Sequence, residues 1–128
     1  MSLLGAFNNQ LIRFFQELKT TFPEERDIGL ALEAIEGVKK INPKMILDLF
    51  WENVYKDLHE AIRREDEVFV VEYTRSKIST QFNEMSAALF IFDKHWSTIS
   101  EDNQKVIWQY LKVLCTLCEK ARAARGGA

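Results

Sequence analysis

The chain has 128 residues, 47% of them apolar and 12% aromatic, enough to bury the core of one domain without disulfides or metals. Charged residues make up 28% with a formal net charge of −2, which argues against both disorder and a general affinity for nucleic acid. The charge is uneven, with 14 acids and 9 bases in residues 1–72 against 5 acids and 8 bases in residues 73–128, so the two halves attract.

The start, Met1 to Phe7, is too short and lacks the basic flank of a secretory signal, and it runs straight into Asn8, Asn9 and Gln10. The first predicted helix covers about Leu4 to Thr20, with Phe7, Leu11, Phe14 or Phe15, and Leu18 on one face. Pro23 ends it. Thr21 and Glu24 have capping-box spacing, which predicts a second helix from there, carrying Ile28, Ala31, Leu32, Ile35 and Val38 inward as far as Lys39 and Lys40. Asn42 followed by Pro43 is the sharpest boundary, an N-cap residue and a first-turn proline. The third helix follows, with a seam of Ile46, Leu49, Phe50, Val54, Leu58 and Ile62 that Trp51 and Tyr55 broaden.

Arg63 to Glu67 is a charged run that stops this pattern. The β-branched stretch Val68–Val71 then predicts a short extended connector near residues 68–73. From Ser76 to Trp96 the residues Ile78, Phe82, Met85, Leu89, Phe92 and Trp96 alternate steps of four and three, which predicts a central helix around which the others are organised. A last helix runs over roughly Glu101 to Ala124, capped through Thr98 with Glu101 or Ser100 with Asn103, and a disordered tail covers about 125–128. The expected fold is all-α, a single-domain bundle of about five helices over residues 1–128.

The longest uncharged apolar run, Met85 to Phe92, is far short of the roughly 20 residues that cross a bilayer, so no membrane association is expected. Cys115 and Cys118 form a C-x-x-C, but in mid-helix, where no helix N-terminus lowers a thiol pKa. They read as reduced core thiols of an intracellular protein. A Cys2His2 zinc site would need His59 and His95 as well, and neither histidine has a partner at ligand spacing. The carboxylates Glu65, Asp66, Glu67 and Glu72 read as a solvated face, and no serine or glycine motif supports catalysis or phosphate binding. No cofactor is expected. Two basic groups, Lys39, Lys40 and Lys44 at the turn between helices two and three, and Lys120, Arg122 and Arg125 at the tail, suit helix-dipole compensation and offer a nucleic-acid surface as the alternative.

Nine Phe, three Trp and three Tyr exceed what a small bundle conceals. Trp51, Tyr55, Phe69, Tyr73 and Trp108 fall on flanks of their helices, which predicts a surface for a protein partner or for a second copy of the chain.

The landmarks also resemble, in order, a family of small uncharacterised proteins encoded by large DNA viruses of algae and protists. The features are Phe7, Asn8, Leu11 and Phe15; Thr21, Phe22, Pro23 and Asp27; Lys39, Lys40, Asn42, Pro43 and Lys44; Tyr55, Lys56 and the acidic Glu65 to Glu67 before Phe69; and Ser100 to Trp108 with Tyr110 and Leu111. The likeness spans nearly the whole chain and consists of caps, turns and core aromatics. It implies a helical viral protein in the host cytoplasm or nucleus, or in the virion, without implying an activity. The sequence therefore points to a non-enzymatic viral interaction or structural protein, with a nucleic-acid accessory factor and a metal- or thiol-dependent enzyme at Cys115 and Cys118 as the other classes.

Overall fold

The apolar face of the first helix, with Phe7, Leu11, Phe14, Phe15 and Leu18 all buried, is the wall against which much of the chain folds. In the computed structural model, which describes residues 2–78 and 83–124, this helix is α1, Leu3–Thr21, and it contacts α2 (Arg26–Ile41), α3 and the last helix, α6 (Glu101–Ala124). Helix α3 is continuous but changes pitch, from an α segment Pro43–Phe50 through a π turn Trp51–Tyr55 to a second α segment Lys56–Arg63. Then come α4 (Glu67–Ile78) and α5 (Glu84–Lys94). Among the described residues there are thus six helices rather than about five, and no strand. One apolar cluster draws buried residues from all six.

The expected extended connector at 68–73 is instead the first half of α4. Asp66 accepts a hydrogen bond from the Phe69 backbone N–H at 3.1 Å, and this cap starts a helix whose Val70 and Thr74, one turn apart, are buried. Four consecutive apolar residues suit a strand buried on both faces, but on a helix they surround the axis at steps of about 100°. The acidic residue three positions before Phe69 decides between the two. The chain reaches this cap through Glu65, whose φ of 54° is the left-handed conformation that commonly ends a helix, and the Asp66 N–H returns to the Ala61 carbonyl at 2.8 Å.

The expected unbroken helix from Ser76 to Trp96 is also corrected. Asn83 is extended (φ −149°, ψ −172°) and opens α5 with a reciprocal cap, in which its Oδ1 accepts from Met85 N at 2.8 Å and its own N–H donates to Ser86 Oγ at 3.0 Å. The Asn83 amide donates onward to Asn53 Oδ1 at 3.1 Å, which ties the start of α5 to the π turn of α3. Met85, Leu89, Phe92 and Trp96 are buried as their spacing requires, whereas Phe82 lies outside the described residues.

Two boundaries move for reasons written in the chain. Thr21 belongs to the last turn of α1 instead of capping α2, because Phe22 precedes a proline and leaves the helical region (φ −124°, ψ 66°). Asn42 precedes α3 as expected, with Pro43 in the first turn, but its side chain makes no capping bond. The α6 cap is Ser100, whose Oγ accepts from Asn103 N at 3.1 Å.

Candidate protein-interaction surface

Because Val68 to Val71 surround the axis of α4, and α3 and α5 cover only part of it, some of them face solvent. Val68 is 64% exposed and Phe69 is 45% exposed. Beside them a groove of 290 Å³ runs between the N-terminal half of α4 and the C-terminal end of α5, lined by Val68 and Val71 and floored by Phe92 and Trp96. Two polar ties hold its walls. Trp96 Nε1 donates to Glu67 Oε2 at 2.5 Å, and Arg75 Nε donates to Asp93 Oδ1 at 2.5 Å. Below the floor Phe92, Trp96 and Trp108 form an aromatic cluster with ring centroids 4.4 to 5.3 Å apart. Trp108, expected on a flank, is therefore core, at 5% exposure. Tyr73 is half-buried on the same helix, and its hydroxyl donates to Asp57 Oδ2 at 2.8 Å.

The other expected aromatics lie elsewhere. Trp51, Tyr55 and His59 are four residues apart along α3 and stack as a ladder with centroid spacings of 4.5 Å, closed at one end by the Arg122 guanidinium 3.9 Å from the Trp51 centroid. Two polar tips in this ladder are engaged. The Tyr55 hydroxyl donates to Glu119 Oε1 at 2.5 Å, and His59 Nδ1 lies 2.8 Å from the Tyr55 carbonyl oxygen. Burial first, and then the Glu119 carboxylate, hold the Tyr55 phenol well above its ordinary pKa. A cleft of 340 Å³ opens beside the ladder, between α3 and α6, where Cys115 and Thr116 face His59 and Arg63. Its cations are already paired, Arg63 with Glu60 and Lys112 with Glu65.

The cysteines are buried and unbridged. Desolvation pushes both thiols up to about 12, which disfavours the thiolate that a nucleophile needs. The four residues of the zinc reading are not assembled. His59 and Cys115 line the cleft, whereas His95 caps the far end of α5. There His95 stacks on Phe22 at 4.7 Å and its Nε2 lies 3.0 Å from Glu25 Oε1. Glu24, Glu25 and His95 are the one set of three metal-type donors that converge among the described residues, but Lys94 Nζ takes the same Glu25 oxygen at 2.7 Å. A lysine in that position supplies the positive charge a metal would bring. Its hydrogen bond, followed by that of His95, holds the Glu25 carboxyl below the usual carboxylate range.

Comparison with protein-family models, with curated proteins and with solved structures finds no match.

Two of the basic residues are already engaged. Lys39 Nζ donates to Asn9 Oδ1 at 3.1 Å, and Arg122 lies over Trp51 and 3.6 Å from Asp48. Lys40, Lys44 and Lys120 are exposed, and Arg125 lies outside the described residues. Sequence reasoning missed the groove residues Val68, Val71 and Phe92, because a stretch read as extended has no helical face to share with α5. It also missed Ile41 and Met45, two exposed apolar side chains at the turn between α2 and α3. Isolated apolar residues next to lysines carry no periodic signal. No helix among the described residues is long and apolar enough to cross a membrane.

Proposed function

We propose that this chain is a non-enzymatic interaction module that recognises a protein, another chain or its own copy, through the exposed face of α4 and the groove beside it. The observation that carries the reading is the exposure of Val68 and Phe69 next to a groove with an aromatic floor. An apolar groove rimmed by charge, over aromatic rings and beside an exposed phenylalanine, has the composition of an interface core. The expected partner-binding set thus contracts to Phe69, with Tyr73 at its edge. Thiols pushed up by burial, and Tyr55 and Tyr73 hydroxyls already bonded to carboxylates, support a role without catalysis. The viral family that the chain resembles would put such a module inside an infected cell, in the cytoplasm or nucleus or within the virion.

The test is a photo-cross-linking amino acid at position 69 in cells that make the protein, with the same group at exposed Glu33 as the control. A discrete cross-linked protein at position 69, lost when Val68→Asp is added, is the expected result. Identical products from both positions would overturn the reading. The nucleic-acid alternative predicts a gel shift that weakens with salt and disappears in a Lys40→Glu, Lys44→Glu double variant.

A further inference from the structure

Charge and apolar surface are distributed unevenly between the two ends of the bundle. At one end the turn from α2 into α3 forms an elbow where Ile41, 87% exposed, follows Lys40, and Met45, also exposed, follows Lys44. From Lys39 to Met45 there are three lysines and no acid. At the other end the groove between α4 and α5 has an apolar floor and a rim of Glu67, Glu72, Asp93 and Arg75. Arg75 neutralises Asp93, Glu67 is held by the uncharged indole N–H of Trp96, and Glu72 has no ion-pair partner among the described residues. The groove is therefore net acidic and the elbow is net basic, and each presents apolar side chains that solvent should not cover.

The two surfaces do not meet within one molecule. Glu25, just before α2, is bonded to Lys94 and His95, the residues next to Trp96 in the groove. From there α2 runs for 16 residues, about 24 Å at the helical rise, before it reaches Ile41. Complementary surfaces at opposite ends of one chain can be satisfied only between chains.

Resting on the reading of the groove as a protein-binding surface, we propose that its occupant is the α2–α3 elbow of a second copy. Ile41 and Met45 of one chain enter the groove over Phe92 and Trp96 of the next, and Lys40 and Lys44 face Glu67 and Glu72. The contact is heterologous, so every chain in the assembly offers one elbow and one groove, and association continues until a ring closes or the chain of copies ends.

Sedimentation velocity over a concentration series tests this with wild-type protein, Ile41→Asp, Val68→Asp and an equimolar mixture of the two variants. Both positions are exposed, so the variants keep their fold, checked by circular dichroism. The wild type is expected to associate with rising concentration, and more weakly at high salt. Each variant alone should lose at least roughly tenfold in association. The mixture should form a 1:1 dimer and nothing larger, because the intact elbow of Val68→Asp fits the intact groove of Ile41→Asp and the product has no competent end left. Association of the wild type that Val68→Asp abolishes and Ile41→Asp leaves intact would mean that groove meets groove, and would overturn the elbow while keeping the interaction surface. A wild type that stays monomeric throughout, with position 69 still cross-linking to another protein, also overturns self-docking alone. Binding of the elbow to anionic vesicles, lost in Ile41→Asp in a chain that never self-associates, would overturn it in favour of a lipid surface.

Discussion

The ladder along α3 and the exposed face of α4 are both rich in aromatics, and they differ in what their polar tips and ring faces touch. In the ladder each ring covers the next, Arg122 covers Trp51, and Glu119 takes the Tyr55 hydroxyl. On α4 the Tyr73 hydroxyl is taken by Asp57, but Val68 and Phe69 meet solvent. An aromatic surplus in a composition is thus not one signal. Part of it completes the inside of the molecule, and part is left for contact with another molecule.

The contrast breaks first under truncation. Tyr55→Ala should cost about 3 to 5 kcal/mol, since it opens the ladder and strands the Glu119 contact, whereas Phe69→Ala should cost less than about 1 kcal/mol, both by denaturant unfolding. Equal losses at the two sites would mean that α4 is as much a part of the core as α3. A finer cut is Tyr55→Phe, which keeps the ring stack and removes only the hydroxyl, so a loss of about 1 kcal/mol is expected from the same measurement. The smallest effect concerns the fastening of α2 to the groove end. The Glu25 carboxyl is held below the ordinary carboxylate value of 4.5 by Lys94 and then His95, so it stabilises the fold above that pH and the contribution is lost as pH falls through the lower folded value. Stability of the wild type should fall below about pH 4.5, and Glu25→Gln should flatten that part of the profile, as read from thermal unfolding against pH.

The helical class and most helix ends were legible because capping residues and 3.6-residue spacing are local. Pro43, Ser100 and the α1 face through Phe7, Leu11 and Leu18 need no tertiary information. Asn83 was legible too, since Ser86 follows at capping distance, but the apolar stripe across it was the stronger pattern and hid the break. Val68 to Val71 misled for a physical reason: β-branched residues favour strands only when a neighbouring strand exists to pair with, and here the nearest surface is the side of α5. The site was read least well. Exposure depends on which faces of a helix its neighbours reach, and Trp108 and Phe69 look alike until α5 is placed over the one and leaves the other.

The π turn at Trp51–Tyr55 holds one residue more than a regular helix would, and everything downstream in α3 inherits that offset. Removing a single residue from this turn would let it close as regular helix with Leu58, Ala61 and Ile62 still facing the interior, whereas removing one from the regular segment Lys56–Arg63 would turn the residues after the deletion by about 100°. The irregularity therefore absorbs one residue of length, and α3 tolerates a single deletion there far better than in the regular segments on either side.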